Sequence, residues 1–404
     1  MKSLKSLYVY GKGPSSSHTI GPYRACLHFL THLDGVNFNR IEAILFGSFA
    51  LTYKGHHTDK IIEEFLSGYN LKIKIDRETK TAHPNTMVLN ALKDSDVVVS
   101  HTYESIGGGV IRCLETDDLK DEDIYPFEDF NQIKKHMEAN NIKHLYELVD
   151  SFEEEDINCY MEKIFDAMIE SVNVGLSKEG EIFAGKTLKV LRSAKSILSN
   201  LKDEHNTEED RTIKLSAYAY AVGEENATGG NVVTAPTCGS SGIIPAIIYY
   251  LYNDLKMEKQ QIINGMKTAG IIGNVFKQNA TISGAVGGCQ AEIGVAVCMA
   301  SALLCEIYGL SLYQIEYGCE LAMEHHLGLT CDPIDGYVVI PCIERNAVGA
   351  IRAYEAYLFS KVIAPSRKNF VCLDDIVKTM LITGKAIRSS YKETSRGGLA
   401  KLVK

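Results

Sequence analysis

Cys289, Cys331 and Cys342 are the residues of this 404-residue chain whose type and placement speak most directly of chemistry. Cys289 stands in Gly287-Gly288-Cys289-Gln290-Ala291-Glu292. Cys331 opens Cys331-Asp332-Pro333-Ile334-Asp335-Gly336, which runs on to Pro341-Cys342. An iron–sulfur cube has four irons. Three thiolates fix three of them and leave the fourth open to bind a substrate as a Lewis acid, whereas an electron-transfer cluster usually takes four cysteines. An open iron points to hydration or dehydration. The spacing does not match the paired C-x₂-C knuckles of a zinc site.

Five loops carry polar groups that such chemistry needs. Gly11 to Pro22 contains Ser15-Ser16-Ser17-His18-Thr19 and sits between a strand-like run and a helix-like one. Hydroxyls and backbone N–H groups at a helix N-terminus suit a carboxylate or a phosphate, although a Ser-rich turn also serves as a plain cap. Lys54-Gly55-His56-His57-Thr58 places two histidines side by side, of which one is expected to point inward. In His83-Pro84-Asn85 the proline restricts His83 to extended backbone. Histidine is the commonest general base, yet either motif alone also reads as a surface turn. Thr237-Cys238-Gly239-Ser240 precedes an apolar helix, and Cys238 there is a ligand, a nucleophile or filler. Ser105-Ile106-Gly107-Gly108-Gly109 reads as a flexible turn and matches no dinucleotide or P-loop pattern.

These loops need elements to hold them. Residues 1 to 115 alternate short β-like runs with helical ones. Strands are expected at 7–10, 41–46, 71–75 and 97–102, and helices at 22–33 and 59–66. Residues 116 to 150 turn acidic, with Asp117, Asp118, Asp121, Glu122 and Asp123 just after Glu115, and read as a linker with one or two helices. From 151 to 404 nearly every segment reads helical, with Ser151 ahead of Glu153 and Glu154 as a cap. Gly287-Gly288 marks a turn just before Cys289. The fold class is therefore α+β, an N-terminal α/β domain followed by a mostly helical C-terminal catalytic domain.

Composition narrows the function classes. With 45% hydrophobic and 23% charged residues the chain is globular. A net charge of -9 gives no electrostatic case for nucleic acid. The apolar run from Ile293 to Cys305 is shorter than the ~20 residues of a membrane span, and the first residues lack the apolar core of a signal peptide. Eleven cysteines, an odd number, fit a reducing cytoplasm better than a disulfide framework. Cys298, Cys305 and Cys319 lie in apolar helix-like segments and read as buried packing.

Together the motifs resemble the iron–sulfur-dependent L-serine dehydratases in their single-chain form. The N-terminal half is similar to the family's β domain through Ser15-Ser16-Ser17-His18-Thr19, Lys54-Gly55-His56, His83-Pro84-Asn85 and Ser105 to Gly109. The C-terminal half resembles its α domain through Thr234 to Gly242, Asn279 to Gly284, Gly288 to Glu292, Cys331 to Cys342 and the tail Tyr391-Lys392-Glu393-Thr394-Ser395. The resemblance covers nearly the whole chain, in family order.

It implies a [4Fe–4S] cluster on Cys289, Cys331 and Cys342, and conversion of L-serine to pyruvate and ammonia. His56 is the implied base, with His83 and His18 in support. Ser15, Ser16 and Ser17, with Thr237, Cys238, Gly239 and Ser240, are the implied holders of the substrate. A cytoplasmic homodimer is implied as well. The chain departs from the family pattern in three places. The stretch from Lys60 to His83 is short, His57 stands where many relatives have glycine, and the chain ends Leu402-Val403-Lys404 rather than in a cysteine. That ending leads to the expectation of water or substrate on the fourth iron at rest. Three other readings stay open: the same cluster acting on threonine, cysteine or a hydroxy acid; a pyridoxal-phosphate enzyme using Lys54; and a ligand sensor with structural zinc.

Overall fold

A computed structural model describes residues 1–119, 122–184, 188–201, 207–366 and 368–402. Asp121 of the acidic stretch and the terminal Val403 and Lys404 lie outside the described residues. Among the described residues, nine strands form three sheets. β1 (Tyr10–Lys12) pairs antiparallel with β9 (Asn231–Val233). A five-stranded mixed sheet has the order β3-β2-β4-β5-β6, built from β2 (Arg40–Leu45), β3 (Leu71–Ile75), β4 (Thr86–Lys93), β5 (Asp96–Gly107) and β6 (Val110–Cys113). Only β2 and β3 run parallel. β7 (Glu181–Ala184) and β8 (Leu188–Leu191) make a hairpin.

The sheet follows from period-two patterning. Ile41, Ala43 and Leu45 of β2 and Met87, Leu89 and Ala91 of β4 alternate onto one face. They are buried there with Ala25 and Phe29 of the helix Ile20–Thr31 and Ile62 of the helix Thr58–Phe65. β4 was not expected, although its alternation and the turn at Asp94 (φ 55°) both signal a hairpin. β5 also runs past Thr102. The segment read as a flexible turn is the end of β5 plus a tight reversal at Gly107, Gly108 and Gly109, with φ of 113°, 61° and 83°.

The second body is helical. Val295–Ile307 is apolar all round because it lies at the centre, buried from Val295 to Glu306. Helices Lys259–Asn279, Leu312–Glu324 and Cys342–Ile363 enclose it. The stretch Gln290–Ile307 is long and apolar enough to cross a membrane, but 89% of it is buried inside the protein. Truncating Phe276, fully buried on Lys259–Asn279, to alanine is expected to cost about 3–5 kcal/mol. A drop in the denaturant midpoint of the purified protein measures it.

Two local expectations differ from the structure, and a third holds. Residues 7–9 do not form a strand. Leu7 and Tyr8 enter the core of the helical body, where the Tyr8 hydroxyl donates to the Met266 carbonyl at 2.9 Å, and pairing begins only at Tyr10. Ser151 is no cap. It lies inside the helix Leu145–Phe152, its hydroxyl turned back onto the Leu148 carbonyl. The Glu153 carboxylate instead accepts from the Ser3 hydroxyl, the Leu4 amide and the Tyr125 hydroxyl. The acidic stretch leads into two helices, Phe130–Ala139 and Leu145–Phe152. Their Phe130, Ile133, Met137 and Leu148 share the core of the helical body.

Candidate active site

The three cysteines reach one enclosed cavity from three different backbone settings. Cys289 follows Gly288 (φ 75°) and begins the wide turn Gln290–Gly294 that feeds the central helix. Cys342 opens the helix Cys342–Ile363. Cys331 is extended and pairs with the C-terminal tail: its amide donates to the Tyr391 carbonyl, and the Glu393 amide donates to its own carbonyl, both at 2.8 Å. All three are buried and line the cavity with Ser15, His56, Gly239, Glu292, Arg345 and Glu393. Arg345, one turn past Cys342, is the cationic side chain in this lining. Its guanidinium donates to the Thr330 carbonyl at 2.8 Å.

Burial and mutual contact shift the three thiols in different directions. A hydrogen bond from Cys331, helped by Arg345, lowers the Cys289 thiol below its ordinary range. Cys331 is raised by that same bond and by burial, and Cys342 by burial and the charge on Cys289. Glu292 accepts from the Thr237 hydroxyl at 2.7 Å. Burial raises both Glu292 and Glu393. Gly284 leaves open the space against Glu292 and Cys331, since a Cβ there would lie 2.6 Å from Glu292 Oε2 and 3.5 Å from Cys331 Sγ.

The sheet body delivers the histidines. Gly55 is pressed onto the Cys331–Cys342 loop so closely that a Cβ would lie 2.2 Å from the Gly336 carbonyl oxygen. That approach carries His56 into the cavity. His56 is 1% exposed, and neither of its ring nitrogens has a hydrogen-bond partner among the described residues. Burial and the neighbouring His57 push its pKa down to about 3. Glu393 Oε1 stands 3.6 Å from His56 Nδ1 and 3.4 Å from the Ser15 hydroxyl. The His18 ring meets His56 edge-on at 4.3 Å between centroids. Its nitrogens are engaged: Nδ1 with Ser15 (3.2 Å) and Ser17 (3.0 Å), Nε2 with Thr52 (3.0 Å). Burial and His56 lower its pKa as well.

His57 has φ 59°, the left-handed conformation that favours glycine, and its ring lies against Gly229. Adjacent residues thus send their rings to different places. His83 does not line the cysteine cavity. It lines a larger one of about 1030 Å³ together with Arg112, Lys277 and Thr281, and its Nδ1 accepts from the Asn85 amide at 3.1 Å. Of the other loop residues, Gly239 lines the cysteine cavity and Thr237 holds Glu292. Ser16 and Cys238 are both buried, and neither lines this cavity. The Ser240 hydroxyl turns away onto the Ala235 carbonyl. Lys54 is largely exposed and paired with Asp59 at 2.6 Å, which gives a Schiff base no enclosed setting.

The sequence reading assigned no role to Glu292, Arg345 or Glu393. Nor did it assign one to Asn85, Ser105 and Ser283, whose buried side chains lack hydrogen-bond partners among the described residues. Most of these lie inside motifs already quoted, such as His83-Pro84-Asn85 and the Tyr391 to Ser395 tail. That was the available signal.

Comparison with known proteins adds independent findings. Residues 3–79 match the family described as serine dehydratase beta chain, and residues 73–400 that described as serine dehydratase alpha chain. The two matches overlap at residues 73–79, from within β3 into the segment before β4, inside one sheet. The L-serine dehydratase of Helicobacter pylori (strain ATCC 700392 / 26695) is 36% identical over 455 residues, covering 100% of this chain and 99% of that protein. L-serine dehydratase 2 of Escherichia coli K12 is 36% identical, over 99% and 98% of the two chains. The L-serine dehydratase of Streptomyces coelicolor is 35% identical, over 98% of each.

Proposed function

This chain belongs to the serine dehydratase family, and from that membership we propose that it dehydrates and deaminates L-serine to pyruvate and ammonia. The observation that carries the reading is the meeting of Cys289, Cys331 and Cys342 at one enclosed cavity that also receives His56. The buried thiols, the nearby Arg345 and the space left by Gly284 fit a [4Fe–4S] cluster held by the three cysteines. Such a cluster, when bound, supplies a Lewis acid for the substrate's β-hydroxyl.

The chain's own groups handle the proton. His56 is neutral at physiological pH because burial disfavours its charged form, and its unpartnered nitrogens leave it free to take the α-proton. Glu393 Oε1, 3.6 Å from Nδ1, is placed to face the ring nitrogen as it takes up the proton. His18 is a positioning residue, fixed by Ser15, Ser17 and Thr52 and packed edge-on against His56. The Ser15 hydroxyl and the Gly239 backbone, both on the cavity wall, are offered to the substrate's carboxylate and amine. His83 is left out of this scheme because it lines the neighbouring cavity. Loss of the α-proton and the hydroxyl leaves aminoacrylate, which tautomerises to an imine and hydrolyses to pyruvate and ammonia.

We assign the protein to the cytoplasm as a homodimer on the same family reading. All eleven cysteines are unpaired, which agrees with a reducing compartment. The test is pyruvate release from L-serine by protein purified without air. Activity that oxygen abolishes, and that ferrous iron with reductant restores, is the expected result. Activity indifferent to air would sink the cluster mechanism.

A further inference from the structure

A second group of metal-type ligands sits on the sheet body, among residues the reaction does not use. His28 lies on the helix Ile20–Thr31 and His32 caps its C-terminal end. The four-residue spacing puts both rings on one side of the helix, the arrangement by which helical histidine pairs hold a metal. Asp118, after β6, reaches both: Oδ1 is 2.9 Å from His28 Nε2 and Oδ2 is 3.3 Å from His32 Nε2. One ligand atom from each of the three lies within 4.8 Å of the others.

The surroundings aim those atoms. His32 Nδ1 donates to the His28 carbonyl at 3.0 Å, which leaves the Nε2 lone pair facing Asp118. His28 Nδ1 is 2.8 Å from the hydroxyl of Tyr103, a buried residue of β5, so its Nε2 is presented in the same way. Histidines that ligate metals engage their other nitrogen in this fashion. The His101 ring closes the group from β5, 4.8 Å from His32 between centroids, with its Nδ1 on the same Tyr103 hydroxyl at 3.2 Å. Asp118 is half exposed, so the group opens to solvent. The negative end of the helix dipole also favours a cation here.

We propose that His28, His32 and Asp118 form a binding site for a divalent transition metal of the zinc class, with Tyr103 positioning His28. Imidazole and carboxylate donors suit such an ion. Bound there, it ties the end of the helix to the segment that leaves the sheet.

The test uses the cluster-loaded enzyme equilibrated with Zn²⁺, metal analysis per chain, and X-ray absorption at the zinc edge. The expected result is one zinc with nitrogen and oxygen neighbours at ~2.0–2.1 Å. His32→Ala and Asp118→Asn, both at partly exposed positions, lower the affinity more than about tenfold, and Tyr103→Phe lowers it by ~10–100-fold. Zinc also raises the melting temperature of the native protein but not of these variants. A sulfur shell near ~2.3 Å would place zinc on the cysteines instead and overturn the proposal. So would binding unchanged in His32→Ala and Asp118→Asn, or no zinc bound at all.

Discussion

Cys331→Ala loses bound iron and sulfide together and drops pyruvate release from L-serine by more than ~10³-fold. The size follows from the Lewis acid, which contributes several kcal/mol to hydroxide departure at ~1.4 kcal/mol per tenfold in rate. Cys331 is the most discriminating of the three cysteines to change. Its backbone amide and carbonyl hold Tyr391 and Glu393, and alanine keeps both bonds. The tail therefore stays in place while the thiolate is lost. Iron and sulfide analysis beside a pyruvate assay makes the measurement, with thermal melting to show that the protein is folded. An intact cluster in this variant would remove Cys331 from the ligand set.

His56→Ala behaves oppositely. The cluster is retained, and kcat falls by ~10²–10⁴-fold, the range for loss of a positioned general base. The paired variant His57→Gly stays close to native activity, because His57 lies against Gly229 in a backbone conformation that glycine adopts without strain. Equal losses in both variants would mean that the turn as a whole matters and His56 has no separate role. Native turnover in His56→Ala would exclude it as the base.

Part of this arrangement was legible before any fold was known. The three cysteines, the polar loops and the turn at Gly287-Gly288 are read from residue types over a few positions. So are the helix Ile20–Thr31 and the strands β2 and β3, because their hydrophobic periods are local. Expectations failed where a distant segment supplied the partner. The pairing of Tyr10–Lys12 with Asn231–Val233 joins residues more than two hundred positions apart, and no local pattern announces it. Ser151 followed by glutamates has the form of a cap, but the N-terminal turn claims Glu153. Asp118 read as one charge in an acidic run until two histidines faced it.

By itself the sequence determined the kinds of groups available for chemistry and the class of elements that carry them, since both depend on side-chain type and short-range spacing. Only the tertiary structure decided which histidine enters the cavity and that Glu393 arrives from the tail. It also decided that His83 faces another cavity. Side-chain direction depends on backbone conformation at single residues, such as φ 59° at His57, and on approaches as close as Gly55 to Gly336. Those are set by packing between segments far apart in the chain.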